Sequence, residues 1–175
     1  MNSIPASASS ALARHLVDIA GVVESIDDET FGAVREDGVS GSVGAHVRHT
    51  LDHVAALIEP RQHPVIDYDS RRRGTSVERH RPAAAAELRR FAFRLHGMRP
   101  NEEARAVAVS SVIDPQGQRV TAPSTIGREL VFVLSHTIHH QAIIALLLAS
   151  AGQRTPDRFG LAPSTPDHRR CAQSA

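Results

Sequence analysis

The chain has no lysine and no tryptophan, one cysteine and one tyrosine in 175 residues. Schiff-base catalysis and a phosphate-binding P-loop both need a lysine amine, so neither is available. With Cys171 alone, an intramolecular disulfide and a thiolate-rich metal site are excluded. Its polar C-terminal surroundings give it no catalytic setting. The 20 basic residues are all arginine and face 19 acids, for a formal charge of +1, and aromatics make up 3% of the chain. Nucleic-acid binding uses a basic face or aromatic stacking platforms, and neither is evident. The longest apolar run, Ala142 to Ala149, is too short to cross a bilayer. Met1 to Ser10 lacks the basic start, apolar middle and cleavage site of a signal peptide. The expectation is one soluble, cytoplasmic domain over 1–175, with no nucleic-acid or membrane partner.

Histidine is what the chain does have, with 11 copies. His136-Thr137-Ile138-His139-His140 lies in the apolar stretch from Ile126 to Leu148. Residues four apart share a helix face, so His136 and His140 can offer two nitrogens to one metal ion. The other half of such a site has an obvious donor in the segment Ser42 to His53, which carries His46, His49 and His53. Two helices with histidines on facing sides describe a metal centre inside a helix bundle.

Apolar spacing predicts four long helices. The first runs from a Ser9 or Ser10 cap to about Asp27, with Leu12, Leu16, Ile19, Val23 and Ile26 inward. The second starts at Ser42 and ends near Pro60. From Arg61 to Arg81 there is no period, and a segment of that length suits a crossover that returns the third helix parallel to the second. The third helix opens near Pro82 and continues through Leu88, Phe91, Ala92 and Leu95 to about His96. A short β-hairpin follows: the β-branched run Ala106 to Ile113, a type I turn at Asp114-Pro115-Gln116-Gly117, then Arg119-Val120-Thr121. The fourth helix is capped by Ser124 or Thr125 and stops at Gly152, before an irregular tail. The core spans about 9–152.

On the fourth helix, Ile126, Leu130, Val133, Thr137, Ile144 and Leu147 share one face. His136 and His140 fall on that face, and His139 points to its side. Glu129 falls there too, and an acid aimed at a core must be paired or put to work. It is a candidate for a supporting or proton-transfer role, with pairing to an arginine of a neighbouring helix as the alternative. On the second helix Val43, Val47, Thr50, Val54 and Leu57 define the apolar arc, and spacing allows any of His46, His49 and His53 to complete the site.

Ser42-Val43-Gly44 followed by His49, the later Ser135-His136-Thr137-Ile138-His139-His140, and a hairpin before the last helix together resemble the DinB/YfiT-like superfamily of metal-binding four-helix bundles. The resemblance spans roughly Leu12 to Leu148. It implies an all-α, up-down-down-up four-helix bundle, often a homodimer, holding a divalent metal with one histidine of the second helix and two of a later one. Aligned on the family pattern these are His49, His136 and His140. Members include thiol-dependent S-transferases, a thiol-dependent isomerase and the N-terminal domains of sulfoxide synthases. Where a common family pattern continues with Arg-Gly-Gln, this chain has Gln141-Ala142-Ile143.

Three neutral imidazoles leave a metal at least one open position, the arrangement of catalytic sites. Zinc or nickel is expected first, iron or manganese next. Such an ion lowers the pKa of a bound water or thiol, so hydrolysis or transfer of a low-molecular-weight thiol to a small-molecule substrate can follow. The His-Glu-x-x-His pattern of metalloproteases is absent, because Thr137 stands at its glutamate position. Glu129, His53 and His139 are candidate bases, and Asp52, one turn from His49, is a candidate to orient a ligand imidazole. Arg71, Arg72 and Arg73 suit carboxylate binding, and Tyr68 is a candidate pocket residue. The alternative to an enzyme is a non-catalytic bundle in which metal supports the fold or a stress-sensing role.

Overall fold

The computed structural model describes residues 7–34, 41–59, 65–70 and 75–165. Among the described residues seven helices and three strands follow in the order α1 (Ala8–Ser25), α2 (Asp28–Gly32), α3 (Val43–Ile58), β1 (Val65–Asp67), α4 (Ser76–Arg79), α5 (Arg81–His96), α6 (Pro100–Glu103), β2 (Ala106–Val112), β3 (Arg119–Thr125) and α7 (Ile126–Ser150). The protein is mostly helical with a small three-stranded sheet. Helix α1 packs against α5 and α7, and α3 packs against α7 and α5.

These helices form where the apolar residues recur at helical spacing, and the same residues enclose the core. Leu12, Leu16, Ile19 and Val23 of α1, Val47 and Val54 of α3, Leu88 and Leu95 of α5, and Leu130, Val133 and Ile144 of α7 are all fully buried. Each such side chain contributes about 1.5–3 kcal/mol relative to exposure. Among the described residues α7 is, by length and composition, long and apolar enough to cross a membrane, although no single apolar run within it is. Here its apolar arc packs on α1 and α3.

Local chemistry sets the helix starts. Ser42 accepts a hydrogen bond from Ala45 N at 3.1 Å, and Thr125 accepts one from Arg128 N at 3.2 Å, each an N-cap. The cap of α1 is Ser7, which accepts from Ser10 N at 3.1 Å, not Ser9 or Ser10. Ser9 is buried and donates to Glu103 at 3.0 Å. The helix also ends at Ser25 rather than Asp27, because Asp27 caps the separate α2 through Thr30 N at 2.7 Å.

The segment read as a crossover without regular structure contains β1 and α4 within its described part. Strand β1 pairs in parallel with β2, Val65 opposite Ala108, and Asp69 accepts from Val112 N at 2.7 Å. The hairpin is longer than expected, pairing Ala106 with Thr125 and reaching α7 without a linker. Pro123 fits within β3 because β3 is an edge strand, where a missing donor is tolerated. The expected turn is present, with Gly117 N donating to Asp114 O at 3.1 Å. Gly152 closes α7 at φ +73°.

Gly44 lies where α3 meets α4. A Cβ there would overlap the Glu78 carbonyl oxygen and meet Phe31 at 2.9 Å, whereas a Cβ at Gly21, within α1, meets nothing. Gly44→Ala is therefore expected to cost about 1–3 kcal/mol by overpacking. Gly21→Ala should gain up to about 1 kcal/mol from helix propensity. Thermal denaturation of the two variants beside the wild type checks the pair; equal melting temperatures would contradict the packing.

Candidate metal centre

Helices α3 and α7 bring five histidines together. His136 Nε2 lies 3.1 Å from His49 Nε2 and 3.1 Å from His140 Nε2. One ligand nitrogen from each of these three residues lies within 4.8 Å of the others. Four-coordinate zinc with Zn–N bonds near 2.05 Å spaces its nitrogens about 3.4 Å apart, so the triangle is close to what an ion requires. The rings are arranged like blades around that point: His49 to His136 makes 70°, His49 to His140 76° and His136 to His140 76°.

These three nitrogens cannot all satisfy one another at once. A neutral ring nitrogen presents one in-plane site, either a proton or a lone pair. His136 Nε2 therefore cannot make well-directed hydrogen bonds to both His49 and His140. A cation between the three lone pairs fits this donor set. Burial, followed by the neighbouring imidazoles of His136, His49, His46 and His139, pulls the His140 pKa down to about 2. A lowered pKa favours the neutral ring, the form that binds a metal.

The surroundings fix ring orientation. His46 Nδ1 lies 3.0 Å from His140 Nδ1. If His140 offers Nε2 to an ion, its proton sits on Nδ1 and is donated to His46, which serves as the partner that orients a ligand imidazole. His53 Nδ1 donates to the His49 carbonyl at 3.0 Å, which leaves its proton there and its lone pair on Nε2. The buried Gln141 locks α7 to α1, with its Oε1 accepting from His15 Nδ1 at 2.8 Å and its Nε2 donating to His15 O at 3.2 Å.

The other residues singled out in the sequence are distributed as follows. His53 lies in the cluster, its ring 4.4 Å from that of His49 and 4.2 Å from that of His136. His139 is exposed, its ring 5.4 Å from that of His140. Asp52 accepts from Arg48 Nη1 at 2.8 Å, and Arg48 Nε also pairs with Glu78 at 3.0 Å. Glu129 is 0% exposed and accepts from Tyr68 Oη at 2.9 Å, Ser124 Oγ at 2.6 Å and Arg128 Nη1 at 2.8 Å. The arginine that pairs with it is thus on its own helix. Tyr68 stacks on His53 at 5.2 Å and 9°. Arg71, Arg72 and Arg73 lie outside the described residues.

Phe132 escaped the sequence reading, yet its ring lies 6.0 Å from that of His136 at 16°, with Arg128 5.7 Å from its face. The signal was its spacing, one turn before His136. A cavity of about 660 Å³ lined by His15, Asp18, Gln141 and Phe159 reaches Gln141 but includes none of the five clustered histidines.

Over 105 residues the chain is 31% identical to FK506-binding protein 5 of Rhizopus delemar, a match covering 59% of this chain and 27% of that protein. The chain thus spans about a quarter of that relative's length, too little to assign it to the relative's family. No family model matches the chain. No solved structure matches it either.

Proposed function

We propose that this chain is a metal-dependent enzyme acting on a small molecule, with His49, His136 and His140 as the metal ligands. The convergence of three imidazole nitrogens from two helices carries this reading. The fold proposed for it is a DinB/YfiT-like, up-down-down-up four-helix bundle. Its support is the four long helices, each of which buries an apolar arc. Cytoplasmic location and a homodimer belong to the same proposal.

A divalent ion held there, zinc or nickel in preference to iron or manganese, supplies Lewis acidity toward a thiol or a water molecule. That chemistry suits an S-transferase-like or hydrolase-like reaction. The protein's own part is to keep the His140 imidazole neutral, to set its tautomer through His46, and to keep water from one side with the Tyr68, Phe132 and His53 rings. His53, with its lone pair on Nε2, is the candidate proton acceptor. A second reading, a non-catalytic centre, draws support from the same crowding: His46 and His53 are near enough to fill the space an open site leaves for substrate.

Tag-free wild-type protein is expected to carry about one equivalent of metal by mass spectrometry, and His49→Ala and His136→Ala to lose it. His139→Ala should retain it, since that ring is exposed. Absence of metal in the wild type after incubation with zinc, nickel and manganese would end the enzyme reading.

Zinc at about 1,000 times its dissociation constant should stabilise the fold by about 4 kcal/mol, seen as a rise in Tm that a chelator reverses. His140→Ala should show no such rise. The two functional readings separate on the cobalt-substituted protein: a thiol that gains a sulfur-to-cobalt charge-transfer band favours the enzyme, and a spectrum indifferent to thiols favours the closed centre.

A further inference from the structure

Glu129 is an acid with no exposed surface on a helix of otherwise apolar character. Its carboxylate takes hydrogen bonds from Ser124 and Arg128, close by in sequence, and from Tyr68, 61 residues away in the crossover. The Tyr68 ring lies flat on His53, 5.2 Å between centroids and 9° between planes, and meets Phe132 at 5.3 Å. His53 in turn contacts the rings of both His49 and His136. Contacts therefore run without a break from the Glu129 carboxylate to two of the three ligand imidazoles.

The phenol hydroxyl is not needed to anchor either element it joins. The start of α7 is fixed by the Thr125 cap and by Ile126 N donating to Arg105 O at 3.0 Å. The crossover is fixed by β1 pairing with β2. What the hydroxyl adds is direction, because a hydrogen bond to a carboxylate is charge-assisted and, away from water, meets little competition.

We propose that Tyr68 and Glu129 are positioning residues of the histidine centre. Their hydrogen bond directs the phenol and presses its ring onto His53, and this ring wall sets the separation of His49 from His136 and hence the affinity for metal. The metal part of this inference rests on the ligand set proposed above.

The test uses the full chain, tag-free, as wild type, Tyr68→Phe, Glu129→Gln and the double variant, titrated with Co2+ and followed by visible absorption. Tyr68→Phe is expected to bind one Co2+ with affinity reduced about three- to tenfold, the scale of one hydrogen bond, and with shifted cobalt bands. The double variant should be little weaker than Tyr68→Phe, since without the phenol hydroxyl the bond that Glu129→Gln weakens is already gone. Tyr68 is the sole tyrosine and tryptophan is absent, so a change in the tyrosine absorbance of the wild type on Co2+ addition reports this contact directly. Wild-type affinity and spectrum in Tyr68→Phe would overturn the proposal. If the wild type binds no Co2+, the ligand set fails by itself, and the clamp is then judged on metal-free protein by the His53 ring-proton resonances. A shift of these in Tyr68→Phe upholds the clamp, and unchanged resonances overturn it. Should Glu129→Gln fail to fold, Tyr68→Phe alone decides.

Discussion

Three ring nitrogens confined to one point between two helices are a demanding thing for a fold to hold. The imidazoles are partly or wholly withdrawn from water, and proximity makes protonation of any one unfavourable for the others, which is why His140 stays neutral far below the usual histidine range. Such a cluster is stable only if the rotation of each helix about its axis is fixed, since one residue of slippage turns a side chain by about 100°. The surrounding structure fixes it at several places. Strand β3 runs directly into the Thr125 cap, Gln141 is held at both ends of its amide by His15, and α3 is set by the Ser42 cap and by the close approach of Glu78 to Gly44.

Charge is distributed in a way that serves the same end. His140 is moved by burial and by four other imidazoles, with no acid among the causes. The acids nearest in sequence are engaged by arginines: Asp52 by Arg48, and Glu129 by Arg128 together with two hydroxyls. A cation bound by neutral imidazoles would keep its full charge, and a site of that kind would draw anionic partners such as a thiolate or a carboxylate.

The long helices were legible because burial imposes a 3.6-residue period, and the side chains placed inward on that basis, from Leu12 to Leu147, are the buried ones. The short elements were not. Strand β1 has three residues and exists through its pairing with β2, some 40 residues on, while α2, α4 and α6 each have too few residues for a period to show. The choice among His46, His49 and His53 could not come from spacing, because all three reach the cluster: His49 through Nε2 against His136, His46 through Nδ1 against His140, and His53 with its ring against that of His136. Asp52 was singled out for its place one turn from His49, and Arg48, next to His49 in sequence, donates to one of its carboxylate oxygens.

Helix α7 explains why polar residues persist in such an apolar setting. Its apolar arc is broad enough that hydrophobic burial, which has no direction, specifies its rotation and axial position only loosely. Glu129, His140 and Gln141 are buried on the same helix, and a buried polar group tolerates only the arrangement that supplies its partners. Burying them costs stability that leucines would have added. In return, Ser124 and Arg128 hold the helix at Glu129, His15 holds it at Gln141, and the clustered histidines of α7 lie between these two fastenings. Register is thus specified on both sides of the cluster by hydrogen bonds, and the apolar contacts supply the bulk of the binding energy between the helices.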